Sequence, residues 1–186
     1  MADARSPRRA VFLDRDGTIV EDPGYLHEPD KVRLLAGAAE ALRQLRDAGY
    51  LVVTVSNQSG IARGLYAVAD YTAVQQRLGE LLAAHGAQLD ASYFCPHHPQ
   101  FTGPCECRKP GLKLFHDAQT ALGIDFARSY WLGDRLSDVE PARPLGGRAI
   151  LVGTGHGAGH GAQARALGIA VAPDLAAAAS VIVSHP

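Results

Sequence analysis

Four short apolar runs, each ending in a small or acidic residue, constrain this chain most: AVFLD (10–14), YLVVTVS (50–56), SYWLGD (129–134) and RAILVG (148–153). Runs of this length with little polar alternation are buried on both faces, as strands of a parallel sheet are. Helical spacing fills the gaps between them. Leu35, Ala38, Ala39, Leu42 and Leu45 stop at Gly49, while Tyr71, Val74, Leu78, Leu81 and Leu82 stop at Gly86. Leu112, Phe115, Ala118 and Leu122 stop at Gly123. Apolar residues three and four apart, closed by a glycine, mark amphipathic helices with C-terminal caps. Shorter strands are expected at Ser92–Phe94 and near Ile169–Val171, and an Ala-rich helix from about Pro173.

Strands alternating with helices imply an α/β fold, with a parallel sheet covered by helices on both faces. In such sheets ligands sit beyond the carboxyl ends of the strands. Asp14, Ser56 and Asp134 all fall at such ends, so three distant segments are expected to meet in one crevice.

At 186 residues the chain fits one domain, 1–186, with a sizeable core. Its 18 Lys plus Arg nearly cancel 19 Asp plus Glu. That balance gives no broad field for nucleic acid or an anionic membrane, so any bound anion must be held by local groups. No apolar run approaches the roughly 20 residues of a membrane span, and MADARSPRRA passes into VFLDRDG without a signal-peptide core. The expected compartment is the cytoplasm. Cys95, Cys105 and Cys107 crowd into one segment, and clustered thiols in a reducing compartment point to metal rather than disulfides.

Asp14-Arg15-Asp16-Gly17-Thr18 puts two carboxylates on alternate residues at a strand end, before a glycine that permits a tight turn. One carboxylate suits attack on phosphorus and the other proton donation to the leaving oxygen. Such a pair, with an ester phosphate beside it, calls for a divalent cation. Mg²⁺ with its hard oxygen ligands fits Asp14, the region of Asp16, and Asp134 of WLGDRLSD, with Asp138 as a support for the ligands. Lys109 of CRKP and the hydroxyl of Ser56 are candidates to stabilise charge on the equatorial phosphate oxygens.

DRDGT, a serine at the end of the next strand, a lysine and then GDxxxD resemble the signature motifs of the haloacid dehalogenase (HAD) superfamily, over most of the chain. The resemblance implies a three-layer Rossmann-type domain with a minimal cap and an accessible site. It also implies Asp14 as nucleophile, Asp16 as general acid and base, Ser56 and Lys109 as phosphate binders, and Asp134 as acidic metal ligand. Asp16 is expected to reach the metal through its backbone carbonyl, leaving its carboxyl group free.

The segment at about 95–107 reads CxH…CxC, and Cys95, His97, Cys105 and Cys107 fill a closed tetrahedral Zn²⁺ site of structural type, with His98 open as an alternative to His97. The zinc loop runs directly into Arg108 and Lys109. The superfamily motifs combine with such a loop in two families, the D-glycero-D-manno-heptose 1,7-bisphosphate 7-phosphatases and the histidinol-phosphate phosphatases. FLDRDGTI, GYLHEPD, SNQSGIARG, CPHHP and CECRKPGL resemble the heptose enzymes, with Ser56 where they usually carry threonine. This resemblance implies a sugar-phosphate substrate of nucleotide-activated heptose biosynthesis, touched by Asp22, Pro23, Gly24, Tyr25, Ser56, Asn57, Gln58, Ser59, Arg108, Lys109 and Arg135. It further implies a monomer.

The rival readings are a histidinol-phosphate phosphatase and a zinc-stabilised binding protein without catalysis. Against the family pattern, Pro141 and Pro144 lie where the helix after GDxxxD usually runs uninterrupted, and Pro144 should shorten or break it. The GTGHGAGHG stretch reads as a mobile loop, with no role for His156 or His160.

Overall fold

The computed structural model describes residues 7–184, so the first six residues of the leader reading, and the last two of the chain, lie outside it. In chain order the elements are β1 (Ala10–Leu13), α1 (Ala38–Asp47), β2 (Leu51–Asn57), α2 (Ser59–Ala62), α3 (Val68–Ala84), β3 (Ala91–Cys95), α4 (Pro99–Thr102) and α5 (Lys113–Leu122). Then follow β4 (Tyr130–Gly133), α6 (Leu136–Val139), α7 (Ala142–Leu145), β5 (Arg148–Val152), α8 (Gly157–Ala166), β6 (Ala170–Ala172) and α9 (Leu175–Ser184).

The six strands form one sheet in the order β3-β2-β1-β4-β5-β6, all neighbours parallel. Strand order reverses at β1, which opens the crevice at its carboxyl end that doubly wound sheets use for ligands.

Alternate residues of β1 build two separate cores. Val11 and Leu13 pack with Leu42 and Leu45 of α1, Leu78 of α3 and Ile182 of α9 on one face. Phe12 points the other way, against Phe115 of α5 and Trp131 of β4, whose ring centroid lies 4.8 Å from its own. Full burial of each such side chain is worth about 1.5–3 kcal/mol, which explains why these strands carry apolar residues on both faces.

Strand ends shift by a residue from the sequence reading, and three larger departures have identifiable causes. Leu35 precedes α1, because its amide donates to the Ile19 carbonyl rather than joining the helix. The C-terminal helix begins at Leu175, where the Asp174 carboxylate accepts from the Ala177 amide at 2.8 Å and caps it. The expected mobile loop is instead ordered: Gly157–Ala166 is α8, held to the sheet by Ala164 packing with Leu151 and Val139. Gly157 itself is needed there, since a Cβ would lie 1.7 Å from the Val152 carbonyl oxygen. Tertiary packing outweighs the helix penalty of the glycines. After GDxxxD the helix does break, into α6 and α7, but at Pro141 between them; Pro144, expected to break it, lies in the first turn of α7, where a missing amide hydrogen is tolerated.

Candidate active site

The amide of Asp14 donates to the Leu132 carbonyl at 3.0 Å, extending the β1–β4 ladder one step and bringing the Asp14 carboxylate within 4.8 Å of that of Asp134. Lys109 reaches in from the loop before α5. Its Nζ lies 2.7 Å from Asp14 Oδ1 and 2.7 Å from Asp138 Oδ1, with all three side chains buried. Burial pushes the Asp14 carboxyl up to about 8 against the pull of Lys109, while Asp138 and Asp16 push in the same direction as burial. Burial opposes charge on Lys109, yet Asp138 and Asp14 together hold its ammonium above the ordinary range. Among the described residues, Lys109 alone is ion-paired with both buried carboxylates, Asp14 and Asp138.

Asp134 occupies a slot between two glycines. A Cβ on Gly17 would lie 2.5 Å from Asp134 Oδ2, and one on Gly155 would lie 2.3 Å from the same oxygen. That oxygen accepts from the His156 amide at 2.7 Å. The other, Oδ1, is buried without a hydrogen-bond partner, an arrangement that costs about 1–3 kcal/mol unless something else satisfies it. Oxygens of Asp14, Asp134 and Asp138 lie within 4.8 Å of one another. Asp138 is already engaged, Oδ1 by Lys109 and Oδ2 by the Arg135 amide at 3.0 Å. Asp138 therefore supports the site, and Asp14 with Asp134 remain as hard oxygen donors suited to a divalent cation.

The Asp16 carboxylate stands outside that cluster. Arg15 grips it with Nε to Oδ1 and Nη2 to Oδ2, both at 2.9 Å, and Gln58 Nε2 donates to Oδ2 at 3.0 Å. Gln58 also donates to Ser56 Oγ at 3.1 Å and accepts from the Tyr66 hydroxyl at 2.6 Å. Ser56 is 2% exposed and lies beneath the cavity, not on its wall. Gly60 makes room for Tyr66, since a Cβ there would lie 2.0 Å from the Tyr66 ring.

Cys95, His97, Cys105 and Cys107 converge from the end of β3, the short link to α4 and the loop after α4. Cys105 Sγ lies 3.7 Å from Cys95 Sγ and 3.6 Å from Cys107 Sγ. A tetrahedral zinc with bonds of about 2.3 Å puts its sulfurs about 3.8 Å apart, so the group fits that ion; Cys95 and Cys107 are closer, at 2.9 Å. His97 presents Nδ1, 3.2 Å from Cys107 Sγ. His98 is turned away: its Nδ1 accepts from the Gln100 amide and its Nε2 faces Arg63 at 3.2 Å. The alternative of His98 as ligand is not what this geometry favours.

The same loop delivers Arg108 and Lys109, and Asn57 clamps it. Asn57 Oδ1 accepts from the Lys109 amide at 2.9 Å and Nδ2 donates to the Lys109 carbonyl at 3.1 Å. The carboxamide of Asn57, expected to touch substrate, is thus occupied in holding Lys109 in place.

A cavity of about 500 Å³ opens over these groups. Asp14, Asp16, Asp22, Gly24, Tyr25, Asn57, Gln58, Ser59, Arg108, Lys109 and Arg135 line it as expected, whereas Pro23 does not. Tyr25 and Gly24 bend the rim with φ of 53° and 77°. Sequence reading missed Arg63, Tyr66, His98, Ser137 and His156 on the wall. His156, first given no role, holds Asp134 through its amide and sets Nε2 3.4 Å from Asp22 Oδ2. Only the glycines around it hinted at a close backbone approach.

The HAD-hydrolase-like family model matches residues 106–178. A D-glycero-β-D-manno-heptose-1,7-bisphosphate 7-phosphatase of Yersinia pestis is 43% identical over 152 residues, covering 78% of this chain and 81% of that one. The chain belongs to that phosphatase family. Its architecture superposes on D,D-heptose 1,7-bisphosphate phosphatase from B. bronchiseptica, solved with magnesium and phosphate, with a TM-score of 0.87 and 34% identity over 96% of this chain and 99% of that one. The enzyme of the same name from Burkholderia thailandensis gives a TM-score of 0.70 at 33% identity, over 95% and 99% of the two chains. The family is one of HAD-type phosphoric monoester hydrolases, and the crevice at the β1 switch point is where its chemistry is to be sought.

Proposed function

We propose that this chain hydrolyses the 7-phosphate of D-glycero-β-D-manno-heptose 1,7-bisphosphate, releasing the heptose 1-phosphate and inorganic phosphate. The observation that carries the reading is the buried Asp14 carboxylate, fixed by Lys109 beside the partnerless Oδ1 of Asp134 in a cavity whose wall also carries Arg63, Arg108 and Arg135. Asp14 attacks phosphorus, and the bond from phosphorus to the sugar oxygen breaks as the aspartyl-phosphate forms. Asp16 gives its proton to the departing sugar oxygen. Water then attacks the phosphorus, Asp16 takes back a proton, and Asp14 is released.

Lys109 neutralises the equatorial oxygens during both transfers, and Ser56, beneath the cavity, supports its floor through Gln58. Asp14 and Asp134, with the backbone carbonyl of Asp16, would hold Mg²⁺, which would supply charge neutralisation at the reacting phosphate. Cys95, His97, Cys105 and Cys107 would hold Zn²⁺ with four protein ligands, so zinc would shape the loop and take no part in the reaction. Arg108 receives the non-reacting phosphate, its fork matching that geometry. Asp22, Gly24, Tyr25, Ser59 and Arg135 close around the sugar.

The whole chain works as one domain and one monomer in the cytoplasm, without nucleic acid or membrane partners. No helix among the described residues is long and apolar enough to cross a membrane.

Steady-state phosphate release with Mg²⁺ present tests the assignment, using the α and β anomers of the heptose bisphosphate and histidinol phosphate side by side. The β anomer should give the highest kcat/KM. Preference for histidinol phosphate would transfer the chain to the rival reading, and no turnover of any of the three would leave a binding protein.

A further inference from the structure

Gln58 was expected among the groups that touch substrate, but its carboxamide has nothing left to offer. An amide side chain has two N–H donors and one oxygen with two lone pairs. Nε2 donates to Asp16 Oδ2 at 3.0 Å and to Ser56 Oγ at 3.1 Å. Oε1 accepts from Tyr66 Oη at 2.6 Å and from Arg15 Nη2 at 3.4 Å. Every site is filled, and the residue is 3% exposed. The orientation is also forced: a flipped amide would set its oxygen 3.0 Å from a carboxylate oxygen, acceptor against acceptor.

Arg15 completes the arrangement. It is 1% exposed, its guanidinium lies 5.2 Å from the Tyr71 ring centroid, and its fork grips both oxygens of Asp16. Arginine alone among the side chains presents such a planar pair of donors. Each carboxylate oxygen has two lone pairs. On Asp16, Oδ2 takes donors from both Arg15 and Gln58, whereas Oδ1 takes one donor, from Arg15.

We propose that Gln58 and Arg15 are positioning residues that fill Oδ2 of Asp16 and leave Oδ1 as the one atom through which its proton moves. The inference rests on the reading of Asp16 as general acid and base. In the forward transfer the Oδ1 proton passes to the sugar oxygen as its bond to phosphorus breaks; in hydrolysis Oδ1 takes a proton from the attacking water. Two helpers from different segments, one adjacent in sequence and one just after β2, thereby fix a single edge of a carboxylate whose side chain makes no other hydrogen bond among the described residues.

The leaving group separates this role from a structural one. A sugar alkoxide must be protonated as it departs, whereas p-nitrophenolate leaves without a proton, so only the sugar ester depends on a well-placed Asp16. The quantity kcat/KM reports bond cleavage and not the later hydrolysis. Wild type, Gln58→Met, Arg15→Lys and Asp16→Asn are compared on the heptose bisphosphate and on p-nitrophenyl phosphate. Gln58→Met keeps the side-chain length, and Arg15→Lys keeps the charge but loses the fork. For both, the ratio of kcat/KM on the sugar ester to that on the aryl ester should fall about tenfold, in line with loss of a hydrogen bond to a charged group. Lost support for Ser56 would slow both esters alike and leave the ratio unmoved. An unchanged ratio in Gln58→Met and Arg15→Lys, alongside a collapsed ratio in Asp16→Asn, overturns the positioning role alone. An unchanged ratio in Asp16→Asn overturns the acid–base reading beneath it.

Discussion

Replacing Gly155 by alanine should disarm the site without touching any side chain that reacts. An alanine methyl there would lie 2.3 Å from Asp134 Oδ2 and 2.8 Å from Gly17 Cα. Non-bonded carbon and oxygen atoms rest about 3.5 Å apart, so the carboxylate must retreat by about 1 Å. Retreat breaks the 2.7 Å bond from the His156 amide and carries the partnerless Oδ1 away from Asp14. Misplacement of about 1 Å at a reacting centre typically costs about 10²-fold in rate. The φ of 53° at residue 155 adds backbone strain for any residue with a Cβ, worth about 1–2 kcal/mol.

Gly155→Ala should therefore lower the melting temperature by about 2–8 °C, lower kcat/KM by about 10²-fold, and raise the Mg²⁺ concentration needed for half-maximal rate. The assay is a magnesium titration of initial rates together with thermal denaturation. Gly159→Ala is the control. Its Cβ meets nothing within 4 Å and it lies inside α8, so it should leave activity alone and stabilise by about 1 kcal/mol through helix propensity. A Gly155→Ala protein with parental magnesium dependence and rate would refute the claim that the glycine slot aims Asp134.

Asp14→Asn should abolish turnover while the protein stays folded, read by phosphate release and circular dichroism. The same substitution should flatten a pH effect on stability. With the Asp14 carboxyl raised to about 8 in the folded state from 3.8, the folded chain holds a proton that the unfolded chain has already lost. Stability of the magnesium-free protein therefore falls as pH rises from 4 towards 8, as denaturant midpoints would show; equal midpoints at both ends would contradict it. Asn57→Ala removes both clamps on the Lys109 backbone and should lower kcat by about tenfold with the zinc content unchanged, as metal analysis and kinetics would report. Cys107→Ser should lose zinc and lower kcat/KM by at least about tenfold, because the loop that carries Arg108 and Lys109 depends on the metal for its shape; full activity in a folded, zinc-free variant would refute the coupling.

The apolar runs made the sheet legible before any coordinates, because a strand buried on two faces has no polar position to spare. Asp14 and Asp134 were legible for the same reason: an acid that ends such a run has only the sheet edge to occupy. The mobile-loop reading of GTGHGAGHG failed at a definite point. Glycines that signal flexibility in isolation are here the residues that let backbone approach the Val152 carbonyl and the Asp134 carboxylate. Nothing local announces such an approach. Gln58 and Asn57 show a similar limit, since an amide near a phosphate site looks like a ligand until its hydrogen bonds are traced to Asp16, Ser56 and Lys109.

By itself the sequence determined the α/β layering, the strand ends that bear the carboxylates, and the close grouping of Cys95, His97, Cys105 and Cys107, all consequences of pattern and spacing along the chain. The tertiary structure alone decided which atom of each side chain remains free. That choice depends on partners from distant segments, such as Arg15, Gln58, Gly155 and His156, which no interval along the chain brings together.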